Sequence, residues 1–327
     1  VAESNWKVSV EECDVEDKER LTAFRERADG WIHALDQDDE NSVTAQIFTM
    51  MGDDAKWRAL NEARRLAANR ADAGTSGIVA SLLDRGYVAG QVIAISRLIE
   101  VGNARQPARQ VNSLRRLVEE ITANRELLTR EVFVSRDGLP FSYETIRHHW
   151  PAATAGTSAG AYWTNEGQTQ WIMAQMQHQL FDRLSGQKPT DRSRNDLIEK
   201  SFFDRLSEAL NDPIFSDIIE LRHKSIAHAA DAFSRSKAKN LRKGMALDDF
   251  AKAHFLLLGV FQVVAVGLLY QSWLTSPIAT PQFDIFEHLD LPIVAPDDVA
   301  RLHEFWDSHT GEREDWMNEA FDKLMPN

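Results

Sequence analysis

Along most of the 327 residues, apolar side chains recur every three or four positions, while the strict alternation of a half-buried strand is scarce. The pattern predicts an all-α fold. Helices are expected over roughly 15 to 35, 42 to 72, 76 to 101, 109 to 134, 165 to 185, 194 to 211, 213 to 239, 247 to 275 and 297 to 324. Punctuation supports several of these. Asn41 and Ser42 can cap the second helix, Gly74 to Gly77 break it, and Gly102 with Pro107 separates the next two. Asn211-Asp212-Pro213 is a start signal, because an Asp N-cap supplies an acceptor and proline at the first helical position loses no hydrogen bond.

Two stretches break the period. Between 136 and 167, Pro140, Pro151, Gly156, Gly160 and many small residues predict a long irregular excursion. The segment SPIATPQFDIFEHLDLPIVAPDD carries four prolines, and is expected to run as an extended strap before a last amphipathic helix. The most apolar run, Phe255 to Tyr270, has 16 residues and contains Gln262. As an uninterrupted run it falls short of the ~20 needed to cross a bilayer, so a buried core helix is expected.

Composition narrows the function classes. With 37 basic against 50 acidic residues the net charge is -13, which argues against a general polyanion-binding surface and makes any nucleic-acid contact local. One cysteine, Cys13, excludes an intramolecular disulfide framework and a multi-cysteine zinc site. Together with a polar, acidic N-terminus that lacks signal-peptide character, it predicts a cytoplasmic protein without a membrane partner.

Three patterns invite a chemistry that their context does not support. Gly156-Thr157-Ser158-Ala159-Gly160 fits a nucleophile elbow, but such an elbow needs a buried strand entering the turn, and HHWPAATA is not one. His148-His149 and the His178/Asp182 pair do not form a catalytic metal-ligand set. Neither a P-loop nor a dinucleotide-binding glycine motif occurs.

RHKSIAHAAD, Arg222 to Asp231, is the remaining candidate. On an ideal helix each residue advances ~100°, which puts Lys224, His228 and Asp231 on one stripe and sets Arg222 about 120° from His228. The two can converge if the arginine swings across or if a second copy supplies the partner, so a homodimer is expected. Seven basic residues, Arg222, Lys224, Arg235, Lys237, Lys239, Arg242 and Lys243, face only Asp231 between Arg222 and Lys243. A local excess of that kind suits a phosphate backbone, although such runs are more often simply solvated.

The string ELRHKSIAHAAD resembles the signature of the HEPN superfamily, an Arg, a polar residue and a His four to six positions beyond the Arg, and most resembles its abortive-infection-like (AbiU-type) branch. ISRLIEVGNARQPARQVNSLRRLVEEITANRELL is similar to the family's earlier helical pair, so the likeness spans about 40 to 275. The resemblance implies a HEPN-like helical bundle over 41–275, with a helical extension over 1–40 and a C-terminal strap and helix over 276–327. It also implies a homodimer whose motifs face each other across a cleft, working as an endoribonuclease without metal or other cofactor. Arg222, His223 and His228 would be the catalytic residues, and Lys224, Arg235, Lys237, Lys239, Arg242 and Lys243 would hold RNA. In the family's setting the protein would be a toxin or antiphage defence effector, acting on RNA, a tRNA loop or a nucleotide, with an antitoxin or regulatory protein as a further partner. Some HEPN-like domains are non-catalytic modules that bind nucleotide or protein, and that alternative stays open.

Overall fold

The computed structural model describes residues 5–38, 40–67, 77–101, 111–154, 167–226, 245–271, 276–278, 280–289, 291 and 296–324. Among them the fold is predominantly helical and no strand forms; a single antiparallel bridge joins Thr129 to Leu197. Eleven α-helices follow in order: α1 Lys18–Ile32, α2 Val43–Ala67, α3 Gly77–Leu98, α4 Leu114–Ala123, α5 Arg130–Ser135, α6 Tyr143–Thr154, α7 Trp171–Ser185, α8 Lys200–Leu210, α9 Pro213–Leu221, α10 Leu247–Gln262 and α11 Val299–Leu324. Single π-helical turns extend α1 over His33–Gln37, α9 over Arg222–Ile226 and α10 over Val263–Leu268.

Local chemistry explains where several of these begin and end. Asp17 accepts from the Arg20 amide at 2.9 Å, Ser42 from the Ala45 amide at 3.1 Å, and Ser113 from the Arg116 amide at 3.1 Å. Each such cap satisfies a backbone donor that the first helical turn leaves open. Helix α7 ends on Gly186, whose φ of 69° lies in the left-handed region that glycine adopts without steric cost.

Two expectations need correction. The pattern over 109 to 134 is not one helix: α4 stops at Ala123, a 3-10 turn covers Arg125–Leu127, and α5 restarts at Arg130. The cause is distant in sequence. The Arg130 and Glu131 amides donate to the Asp196 and Arg194 carbonyls, so the segment before α8 pairs with the start of α5 instead of joining the helix expected from 194. The supposed irregular excursion, in turn, contains α6. Ser158, Gly156 and Gly160 lie outside the described residues.

The chain forms two compact units, 1–279 and 280–327. In the first, one continuous apolar cluster runs from Cys13 and Leu21 through to Leu268 and Leu269. The 22-residue helix Leu247–Leu268, and α3 likewise, is long and apolar enough by length and composition to cross a membrane. The bilayer argument from the 16-residue run therefore undercounted that helix. Phe250, Ala253, His254, Leu257, Val260, Phe261, Val264, Ala265 and Leu268 are buried in the core, as a central helix requires.

In the second unit, neither the turns over 284–289 nor α11 as far as Trp316 buries a side chain. Twelve acidic and three basic residues fall between Thr280 and Asn327, leaving 34 of the 37 basic and 38 of the 50 acidic residues in 1–279. Of the net charge of -13, -9 thus falls in 280–327 and -4 in 1–279, the unit of the RHKSIAHAAD motif.

Candidate functional site

The motif is delivered by α9. Asp212 caps that helix by accepting from the Ile214 amide at 2.9 Å, and the Lys252 ammonium of α10 donates to the same oxygen at 2.7 Å. Hydrogen bonding to Lys252 is the chief reason the Asp212 carboxyl is held below its ordinary range. Ile214, Phe215 and Ile218 are buried, each worth about 1.5–3 kcal/mol of apolar transfer. Through them α9 packs on α3 and α10, and the π-helical turn that follows also packs on α3.

On that turn the Arg222 Nη2 and the His223 Nε2 lie 3.2 Å apart. A guanidinium has no acceptor, so in this contact the arginine donates and the imidazole Nε2 accepts. Arg222 and Lys224 are half-buried and His223 is exposed. Arg222 and His223 are therefore brought together, with Lys224 two residues away on the same turn. His228, Arg235, Lys237, Lys239, Arg242 and Lys243 lie outside the described residues.

The π-helical turn corrects the angular argument. A turn closed by i→i+5 bonds carries more residues than an α-helical turn, so the advance of ~100° per residue does not hold from Arg222 to Ile226. The 120° offset computed for a straight helix is not a property of this segment.

Sequence reasoning missed the densest charge cluster of the fold. Arg130, fully buried, donates from Nη1 to Asp182 at 2.7 Å and from Nε to Asp196 at 2.8 Å. Arg192 also pairs with Asp182 at 2.7 Å, while Arg194 reaches Asp14 at 2.9 Å, Glu16 at 3.1 Å and Glu131 at 3.3 Å. Glu131 in turn accepts from the Glu16 and Asp17 amides. Burial works against the Asp182 carboxylate, yet its bonds to Arg192 and Arg130 hold it below its ordinary range. These paired charges tie α5, α7, the N-terminal segment and the approach to α8 together. An arginine and a glutamate adjacent inside the apolar LLTREVFVS run were the available signal.

His178, once a metal candidate, belongs to the same neighbourhood. Its Nε2 donates to the Phe141 carbonyl at 3.0 Å, which leaves Nδ1 as a buried acceptor with no hydrogen-bond partner. Asp182, its supposed co-ligand, is taken by two arginines. Among the described residues no group of three or more His, Cys, Asp and Glu side chains could hold a metal ion. Burial pushes the His178 pKa down to about 4. The unfolded chain therefore binds a proton that the folded chain refuses, and stability falls as pH drops from about 6.5 towards 4, by up to about 3 kcal/mol. Urea midpoints measured from pH 7 to pH 4 should show this loss, and His178→Gln should reduce it.

Comparison of the chain with protein-family models, curated proteins and solved structures returns no match.

A second polar cluster joins α2, α3 and α10. Tyr87 donates to Asp54 at 2.6 Å, Arg58 pairs with the same carboxylate at 2.7 Å, and His254 Nε2 lies 2.9 Å from Gln91 Oε1. The Gln91 amide donates onward to the Met50 carbonyl at 3.0 Å. Every link joins one helix to itself or to a neighbour, so the cluster fixes their packing.

Proposed function

We propose that the chain is a metal-independent endoribonuclease of HEPN type, acting as a homodimer, in a toxin or antiphage setting. The observation that carries this reading is the pairing of Arg222 and His223 on a π-helical turn at the end of α9, within the RHKSIAHAAD motif. π-helical turns are frequent at functional sites, where they re-aim side chains that a regular helix would disperse.

The chemistry follows from the residue types. An imidazole titrating near neutrality can take the proton from a ribose 2′-hydroxyl, and a second can give one to the departing 5′-oxygen. With His228 from each of two copies, one acts as base and the other as acid. The attacking 2′-oxygen closes on phosphorus, the P–O5′ bond breaks, and the products are a 2′,3′-cyclic phosphate and a 5′-hydroxyl. Arg222 stabilises the charge gathering on the phosphate oxygens, and His223, already bonded to it, positions the guanidinium. The test is incubation of the purified chain with total RNA in EDTA beside Arg222→Ala and His228→Ala. Cleavage that both substitutions abolish supports the enzyme, and cleavage unchanged in either rejects the assignment.

A second reading is a non-catalytic module that binds nucleotide or a protein partner through the same residues. RNA binding without cleavage would select it.

Lys237, Lys239, Arg242 and Lys243 serve in either case as a phosphate track. Neutralising all four should weaken single-stranded RNA binding and flatten the slope of log K against log salt by up to ~3, since each contact contributes ~0.7. An unchanged slope would return the run to ordinary solvated surface.

A further inference from the structure

Helix α11 sorts its side chains by chemistry. At ~100° per residue, Val299, Leu302, Phe305, Trp306 and Trp316 fall within an arc of about 120°. The acids of the same stretch, Glu304, Asp307, Glu312, Glu314 and Asp315, fall within about 160° on the other side, and the two arcs do not overlap. Amphipathic helices sorted in this way bury their apolar side. Here that side is open: Leu302 is 50% exposed, Phe305 64%, Trp306 58% and Trp316 52%. Phe305 stacks on His309 of its own helix, and the Arg313 guanidinium lies 3.6 Å over the Trp316 ring. Large aromatic side chains gathered on one exposed stripe are the residue types that anchor protein interfaces.

We infer that α11 is a docking helix for a basic protein partner, which takes the stripe into an apolar groove rimmed by lysine or arginine. Charge selects that occupant. Twelve acidic against three basic residues between Thr280 and Asn327 give this unit a net charge of -9. A second copy would bring the same acids to the rim, and like charges set against each other oppose association. Nucleic acid and anionic lipid are repelled for the same reason. Helices that lie on membranes carry lysine and arginine on the polar face, the reverse of this one. A groove of opposite charge pairs with the acids on both flanks while the stripe is buried. The stripe has the spacing of that binding mode, with anchors at i, i+3 and i+7: Val299, Leu302 and Trp306.

The inference does not rest on the nuclease reading, since α11 holds no residue of the RHKSIAHAAD motif and the test reads binding, not cleavage. The probe is a labelled helical peptide of about five turns, leucine on one face and lysine on the other, followed by fluorescence anisotropy against the full chain. The wild type should bind it with a Kd below about 50 µM. A leucine–glutamate peptide lacks the charge and a serine–lysine peptide lacks the apolar face, so each should bind at least ~10-fold more weakly. Leu302→Glu with Trp306→Glu should weaken binding of the leucine–lysine peptide at least ~10-fold, with the helical circular dichroism unchanged. Glu304→Lys with Asp307→Lys leaves the stripe intact and should do the same, which keeps the test decisive if the first double variant loses its helix. Phe255→Glu, 76% exposed on α10, should bind as the wild type does. No binding by the wild type, equal binding of either control peptide, or unaltered binding by a double variant would overturn the inference. So would a dimer, or attachment to phosphatidylcholine–phosphatidylglycerol vesicles, that Leu302→Glu with Trp306→Glu abolishes, because a copy or lipid would then be the occupant.

Discussion

RNA cleavage should fall by at least about 100-fold in His228→Ala and in Arg222→Ala, with the fold intact in both. The size follows from the roles. A positioned general acid or base contributes 10²–10⁴ in rate, and one donor aimed at developing charge contributes ~10²–10³. The two losses should not add, because base, acid and charge stabiliser serve one transition state. Arg222→Lys is the informative companion. It keeps the charge but loses the planar fork that can bind His223 and phosphate together, so it should recover little of the rate. Both residues lie on or beyond a half-exposed turn, and an equal fall in melting temperature and activity would point to misfolding instead.

Arg130→Ala should be the most damaging single substitution in the body. The side chain is wholly buried, bonds two carboxylates at 2.7 and 2.8 Å, and lies 4.7 Å over the Phe181 ring. Its removal leaves Asp196 with the Ser193 amide, and Asp182 with Arg192 alone, both of them half-buried against the cavity that the arginine vacates. Breaking one partner out of such a pair costs about 3–5 kcal/mol. At ~2–4 °C per kcal/mol for a large domain, the melting temperature should drop on the order of 10 °C. Differential scanning calorimetry decides the matter: a change under about 2 °C would mean that the network relaxes or hydrates freely. Arg130→Lys should lie between, because an ammonium is one point charge where two carboxylates expect a fork.

The helical period made most of the α-helices legible, and the short-range caps at Asp17, Ser42, Ser113 and Asp212 act within a few residues of themselves. What the pattern could not carry was interaction at a distance. The break between α4 and α5 depends on backbone bonds from Arg130 and Glu131 to Asp196 and Arg194, more than sixty positions on. The buried arginine between Asp182 and Asp196 is equally non-local. Helix α6 was hidden because small residues and Pro151 read as a loop where a helix forms nonetheless. At the candidate site, Arg222 and His223 were found by their neighbours in sequence. The π-helical turn on which they sit has no marker in residue type, and it replaces the straight-helix geometry from which a shared site was first argued.

The chemistry of the cut ends tests the central claim most directly. A 5′-labelled RNA of defined sequence is incubated with wild type and with His228→Ala, in EDTA, and the 3′ ends of the fragments are identified. The account predicts 2′,3′-cyclic phosphate ends from the wild type and intact RNA from the variant. Ends bearing a free 3′-hydroxyl, or the same fragments from His228→Ala, would contradict it.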